Sequence, residues 1–310
     1  MKKIILLTLL FLTVLAPKSF AFWMWSPDTH KWVNPKYSVK DTPQKQLQYA
    51  LGFYKEGDND KALKELEKLV KNYPKAREAA DAQFYIGEIQ EKKDNLMQAF
   101  KDYQMTLDKY PFTQRAADVV DRQFGIAEKM LEGNYGGLFK SGHDVIDVLR
   151  AVIKNAPYGK HAAEAQYKIA LYLQGKGLLQ EARDEFEKTV NDYPDTKWSK
   201  AANYQIAVSD AKRSSGPQYN QEVTKSAIDG FKDFVKKYPD AELSQKAQNQ
   251  IDGLREKEAE NKFVVAEFYE KQKKFDAAKL YYNDIVDKYP STTWAKKSLE
   301  RIRALSGKAE

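Results

Sequence analysis

Residues 66–74 read LEKLVKNYP, and close variants return at 103–111 (YQMTLDKYP), 149–157 (LRAVIKNAP), 186–194 (FEKTVNDYP), 231–239 (FKDFVKKYP) and 282–290 (YNDIVDKYP). Five of the six end in Tyr-Pro, at Tyr73, Tyr110, Tyr193, Tyr238 and Tyr289. Proline has no amide hydrogen and pushes the residue before it out of the helical region, so each copy marks a helix end. Upstream of the proline, apolar residues recur at spacings of three and four, as in an amphipathic helix. Leu63, Leu66, Leu69, Val70 and Tyr73 fall on one such face. A polar break, Gly57 to Asp60 in the first copy, precedes that helix, and a second helical pattern precedes the break. Each unit is therefore a helical hairpin. A lone hairpin cannot bury its apolar face, whereas stacked hairpins share a continuous core.

The prolines are spaced 37, 46, 37, 45 and 51 residues apart. The excess has visible causes. A glycine-rich stretch runs from Gly133 to Gly142, and a Ser-Gly-Pro loop from Arg213 to Asn220. From about Ala241 to Gln272 only Gly253 interrupts the helical pattern, which predicts one long helix leading into the sixth unit. The expected fold is an all-α solenoid of about six hairpins and twelve to thirteen helices, without substantial sheet. The expected divisions are 1–21, 22–43, 44–240 for five repeats, and 241–310 for the long helix and last repeat.

The first 21 residues read as an export signal rather than as part of the fold. Lys2 and Lys3 give a positive start, Ile4 to Ala16 an apolar core of 13 residues, and Ser19 and Ala21 small residues at −3 and −1 of a cut after Ala21. That core falls short of the ~20 residues that span a bilayer. Without the three lysines of the signal the net charge drops from +7 to +4, with both signs interspersed. Such a surface is a solvated helical one and points away from nucleic acid. The chain has no cysteine, which excludes disulfides, thiol chemistry, zinc–cysteine sites and lipidation of a cysteine within it.

The segment 22–35, FWMWSPDTHKWVNP, has a different character. Phe22, Trp23, Trp25 and Trp32 alternate with other residues around a Ser-Pro-Asp turn signal, predicting a short hairpin or extended arm. The arm packs on the first repeats or docks a partner, since tryptophan is favoured at interfaces.

The repeat residues resemble the tetratricopeptide (TPR) consensus, in which small residues sit where two helices cross. Ala50, Gly57 and Ala62 match in the first unit, Gly87 and Ala99 in the second, and Ala170, Gly177 and Ala182 in the fourth. Ala207 and Ala227 match in the fifth, and Ala266 and Ala278 in the sixth. The third departs, with Val145 at the crossing. An export signal followed by hairpins ending in NYP, KYP or DYP is similar to the BamD (YfiO) family, over roughly residues 40 to 305. The segments ALGFYKEGDNDKALKELEKLVKNYP and AAEAQYKIALYLQGKGLLQEARDEFEKTVNDYPDTKW carry the likeness. It implies a periplasmic protein at the inner face of the outer membrane, binding the central subunit of the β-barrel assembly machinery and engaging segments of barrel proteins. Family members are typically lipoproteins, and this sequence has no cysteine, so membrane association is expected to be indirect.

The resemblance also implies which faces bind. In TPR-like hairpins the first helix lines a groove, which nominates Leu47, Leu51 and Tyr54, then Phe84, Glu88 and Glu91, then Tyr167 and Leu171. Extended peptides rich in aromatics are the expected ligands. Toward the C-terminus the expected contacts with the barrel subunit are Tyr281 and Trp294. The alternative is an envelope adaptor of the Tol–Pal or cell-division type. Those usually place a coiled coil before the repeats, and residues 22–43 are too short and aromatic for one.

Catalysis is not expected. The histidines are His30, His143 and His161, and no HExxH, phosphate-binding loop or serine elbow occurs. No metal or cofactor is expected either.

Overall fold

The computed structural model describes residues 23–26, 31–34, 38–132, 143–214, 221–240 and 242–306. The export signal with its cut after Ala21, Phe22, the 133–142 loop and most of the 213–220 loop lie outside the described residues. The chain forms two compact units, one up to Ile126 and one from Ala127 onward.

Thirteen helices are present among the described residues. They are α1 (Pro43–Lys55), α2 (Asn59–Asn72), α3 (Arg77–Lys92), α4 (Leu96–Lys109) and α5 (Ala116–Glu132), followed by α6 (His143–Asn155), α7 (Ala162–Gly175), α8 (Leu179–Asp192) and α9 (Lys197–Ser214). The last four are α10 (Gln221–Lys237), α11 (Glu242–Lys271), α12 (Phe275–Lys288) and α13 (Thr293–Ser306). Ahead of them, β1 (Met24–Ser26) pairs antiparallel with β2 (Lys31–Val33), with Trp25 opposite Trp32. The long helix predicted from the lack of breakers is α11, 30 residues in one piece.

The Tyr-Pro pairs end helices as the steric argument requires. Tyr73, Tyr110, Tyr193 and Tyr289 cap their helices at φ between −124° and −133° with ψ between 48° and 65°, outside the helical region. The chain then turns, and an amide three residues on closes the turn: Ala76 to Tyr73, Thr113 to Tyr110 and Thr292 to Tyr289, at 2.9–3.0 Å.

The turn inside each hairpin needs a left-handed residue. Gly57 and Gly177 supply it at φ 81° and 78°, while Asp94 and Lys273 adopt φ 59° and 60° at the matching positions. In each case the next amide reaches back to a carbonyl five residues earlier, as from Asp58 to Phe53 and from Lys274 to Tyr269. This is the 6→1 bond that satisfies the last turn of a helix.

Small residues hold the crossings. Ala50, Ala62, Ala99, Ala170, Ala182, Ala266 and Ala278 are fully buried. At Gly87 an added Cβ would lie 2.7 Å from the Tyr103 ring, so α3 and α4 approach too closely there for any side chain. Val145 is buried on α6, so the third unit accommodates bulk where the others have alanine.

Three of the hairpins also carry a buried amide strap, which sequence reading missed. The side-chain nitrogen of Gln46 donates to the carbonyl and carboxylate of Glu65 at 2.9 Å, Gln83 does the same to Asp102, and Gln166 to Glu185. All three pairs are 19 residues apart. An unpaired amide buried at these sites would cost about 1–3 kcal/mol, and the strap removes that penalty while fixing the helix register.

In the second unit the cores are discrete. Along α11, Ala247, Ile251 and Leu254 pack with Phe231 and Phe234 of α10, whereas Ala259, Phe263 and Ala266 pack with Tyr282 and Ile285 of α12. One helix thus closes one hairpin and opens the next.

Candidate protein-binding site

Counting from the strap glutamine gives α1, α3 and α7 a common register. One residue on stand Leu47, Phe84 and Tyr167, with Phe263 at the same place in α11. These point inward. Phe84 is 4% exposed and Tyr167 8%. Their rings lie 5.4 Å from Tyr103 and 5.5 Å from Phe186, and Phe263 lies 5.2 Å from Tyr282. Leu47 is half-buried against the core that contains Leu66. Phe84 and Tyr167 are therefore core residues rather than groove surface. The second helix of these hairpins offers an aromatic partner at that position, and ring-on-ring packing draws Phe84, Tyr167 and Phe263 in.

The other expected positions do reach the surface. Leu51 and Tyr54 on α1 are half-buried, as are Glu88 and Glu91 on α3, and Leu171 on α7 is exposed. The structure joins three of them in one network. Tyr54 donates its hydroxyl to Glu88 Oε2 at 3.1 Å. Arg122 on α5 donates to Glu88 Oε1 at 2.5 Å and lies 3.7 Å from Glu91 Oε2. Tyr103 donates to Glu91 Oε2 from behind at 3.1 Å. Lys92 sits 3.8 Å above the Tyr54 ring, and the Tyr85 ring meets Tyr54 edge-on at 5.2 Å. Three successive first helices thus share a face of aromatic rings laced by two carboxylates and two cations.

Burial raises the Tyr54 phenol above its ordinary pKa, with the Glu88 charge adding to the rise and Lys92 opposing it. For Arg122, burial works against its charge, but Tyr103, Glu88 and Glu91 hold its pKa above the usual value. The face therefore keeps its guanidinium ionised, half in solvent and anchored on one side. Such a group can hold a carbonyl or carboxylate of an extended chain while Tyr54, Tyr85 and Leu51 offer apolar contact. Arg122 and Lys92 were not singled out from sequence. The signal was present in the 31-residue separation of Glu91 and Arg122, which recurs between Glu270 and Arg301.

At the C-terminal end Tyr281 stacks on Tyr269 at 5.5 Å with 17° between planes, and Trp294 packs on Phe263 at 4.9 Å with Lys297 above it. Both are half-buried parts of the last core. The most exposed large apolar side chains here are Val264 and Phe268 on α11 and Leu280 on α12, which sequence reading passed over because they lie off the core stripe. In the arm Trp23, Trp25 and Trp32 are exposed, and Trp25 meets Trp32 edge-on at 5.8 Å. Among the described residues no group of histidines and acids is placed to hold a metal, and no helix is long and apolar enough to cross a membrane.

Residues 140–306, more than half of the chain, match the YfiO family of outer membrane lipoproteins. The chain belongs to the YfiO family. Residues 47–112 match a tetratricopeptide repeat family instead, so the YfiO match is narrower than the resemblance read from residue 40. Tyr54 and Glu88 lie within the repeat match, Arg122 in neither, and the C-terminal aromatics within the YfiO match. YfiO membership together with the repeat fold makes the chain a TPR-type protein-interaction scaffold of outer-membrane assembly.

A search of curated proteins returns no match. Among solved structures, the chain is similar to the C-terminal part of a TPR repeat-containing protein from Cytophaga hutchinsonii, at 17% identity and TM-score 0.38, covering 84% of this chain and 88% of that one. A tetratricopeptide repeat protein from Parabacteroides merdae is similar at 14% identity and TM-score 0.34, covering 85% and 98%. YrrB, described as a TPR protein with an unusual peptide-binding site, is similar at 15% identity and TM-score 0.35, covering 69% and 94%.

Proposed function

We propose that this chain is a periplasmic scaffold of the β-barrel assembly machinery that uses two separate surfaces. The face formed by α1, α3 and α5 engages extended, aromatic-rich segments of barrel proteins, and the last hairpin docks the central barrel-assembly subunit. The observation that carries the first half is the Tyr54–Glu88–Arg122 network. It presents a half-exposed guanidinium, already oriented by Glu88, beside two tyrosine rings. An extended strand segment offers what that surface lacks: aromatic side chains for the rings and a backbone carbonyl or terminal carboxylate for Arg122. The second half rests on the YfiO match over the C-terminal repeats and on the exposed Val264, Phe268 and Leu280 beside Tyr281 and Trp294.

Two measurements test the two halves separately. Titration with a labelled C-terminal barrel-strand peptide should show binding that Tyr54→Ala and Arg122→Glu each weaken about tenfold, the scale of one charge-assisted contact. Unchanged affinity in both variants rejects the face. For the dock, a chain ending at Glu258 loses the last core but keeps the Leu254 core, because the two are separate along α11. It should remain folded through the Leu254 core and fail to capture the barrel subunit from envelope extract. Retained capture rejects the dock.

A further inference from the structure

The β1–β2 hairpin has no role in the two surfaces above. It is two strands of three residues each, a size only marginally stable in water by itself. Trp23, Met24, Trp25 and Trp32 are all exposed large apolar side chains. Trp25 and Trp32 are directly opposed, so both side chains leave the same face. Strand alternation carries Trp23 to that face too, and sends Met24 to the other. Trp23, Trp25 and Trp32 are 57%, 50% and 63% exposed. The Trp25–Trp32 edge contact supplies some of the missing stabilisation, and still leaves both residues at least half exposed.

We propose that this tryptophan face seats in the headgroup region of a phospholipid bilayer and holds the chain at a membrane surface. Indole is large and apolar with one N–H donor, which suits the boundary where hydrocarbon meets hydrated headgroups. The charge of the segment fits the same surface. Lys31, Lys36 and Lys40 stand against Asp28 within residues 22–40, and lysines near a membrane add attraction to anionic lipids. The inference rests on the outer-membrane placement, and it answers a mismatch. The family is one of lipoproteins, whereas this sequence offers no cysteine thiol to an acyl chain. Three shallow indoles give reversible attachment rather than stable anchoring, which takes two signals. Capture by a protein partner adds to that through effective concentration.

The test uses the chain from Phe22 to Glu310, because the apolar segment 1–21 would bind vesicles by itself. It is mixed with vesicles of phosphatidylethanolamine and phosphatidylglycerol and floated on a density gradient. The protein is expected to float, and its tryptophan emission to shift to the blue and be quenched by lipids brominated near the headgroup. Three of the five tryptophans lie in the hairpin, so the signal is largely theirs. The triple variant Trp23→Ala, Trp25→Ala, Trp32→Ala should lose flotation about tenfold or more with its helical circular dichroism unchanged, and the triple Trp→Phe variant should keep most of it. Three results overturn the proposal. They are no flotation of the unmodified chain, equal flotation of the alanine variant, or flotation abolished by salt but indifferent to the tryptophans. If the alanine variant instead loses capture of the barrel subunit in vesicle-free solution while the unmodified chain does not float, the hairpin is a protein dock. Peptide binding at Tyr54 and Arg122 is read in the absence of lipid, so its failure is distinguishable from this one.

Discussion

Tyr282 donates its hydroxyl to Glu270 Oε2 at 2.9 Å across a gap of twelve residues, and Arg301 clasps the same carboxylate from the next helix. The first unit repeats the arrangement. Tyr103 bonds Glu91 twelve residues back, and Arg122 stands 3.7 Å from Glu91. Between them in sequence the same register holds Gln174, Phe186 and Gln205, where the two amides bond at 3.2 Å and the ring has no hydroxyl. One position therefore tolerates a charged or a neutral solution, provided the first helices are tied to each other and the second helix fills the space behind.

Tyr282→Phe should accordingly fold, as Phe186 does in its own repeat, and lose about 1.5–3 kcal/mol for one hydrogen bond to a charged acceptor. The pH dependence is more telling. Burial, and then the bond to Glu270, push the Tyr282 phenol up to about 12. A phenol whose folded pKa exceeds its unfolded value of 10 stabilises the fold fully below pH 10 and loses that contribution as pH rises toward 12. Urea unfolding between pH 9 and 11.5, roughly the window of that shift, should show a steeper loss for the unmodified chain than for the phenylalanine variant.

Gly87→Ala should destabilise the first unit by about 1–3 kcal/mol, since the new methyl would meet the Tyr103 ring at 2.7 Å. Replacing Tyr103 by leucine, the residue that Leu66 supplies in the first hairpin, should recover part of the loss. A thermal melt of the single and double variants decides this, and additive losses would show that the ring is not the obstacle.

Lys273→Gly is expected to stabilise the last hairpin. Lys273 holds φ 60° in a turn that uses glycine at Gly57 and Gly177. Relief of the left-handed strain is worth about 1–2 kcal/mol, partly offset by about 0.5–1 kcal/mol of extra backbone entropy lost by glycine on folding. A net gain in the urea midpoint at unchanged slope is the expected reading.

Much of this was legible in sequence because it is local. A proline ends a helix whatever surrounds it, so Tyr73–Pro74 and its repeats announced the hairpins, and the absence of breakers announced α11. The alternating tryptophans announced a short hairpin or an extended arm, and it is the hairpin that forms, with Trp25 facing Trp32. What escaped was whatever depends on a distant partner. Phe84 carries no mark of whether it faces solvent or the Tyr103 ring. Arg122 gains its place from Glu88, 34 residues earlier, and the strap glutamines from acceptors 19 residues later. These relations become visible only once the hairpins are aligned on one register.

The straps supply a last prediction, in which one geometry gives opposite pH behaviour. Gln83 and Gln166 each donate to the backbone carbonyl and the carboxylate of an acidic residue, and Thr106 and Thr189 donate to the same two carbonyls at 3.1 Å. Around Asp102 the other donor is Gln98, a neutral group, and burial wins, so the carboxyl sits above the usual aspartate range. Around Glu185 burial also pushes upward, but Lys188 at 2.9 Å and Arg150 at 3.6 Å join Gln166 and bring the carboxyl below the usual glutamate range. The signs follow from the linkage between proton binding and folding. A raised folded pKa gives stability that is present below the unfolded value and is lost as pH rises through the folded one. A lowered folded pKa gives stability that is present above the unfolded value and is lost as pH falls through the folded one. Asp102→Asn should therefore be nearly neutral or stabilising at pH 7, since burial penalises the charged form of the native carboxyl. Its amide can donate to Gln98 once that side chain turns its oxygen inward, and still accept from Gln83. Glu185→Gln should cost about 1.5–3 kcal/mol at pH 7, the worth of a hydrogen bond to a charged group, and should cost much less at pH 3. Urea midpoints of the two variants against the unmodified chain from pH 3 to 8, a range spanning the usual carboxyl values of about 4, give the answer. Parallel curves for Asp102→Asn and Glu185→Gln would mean that the neighbouring cations do not set the ionisation of these straps.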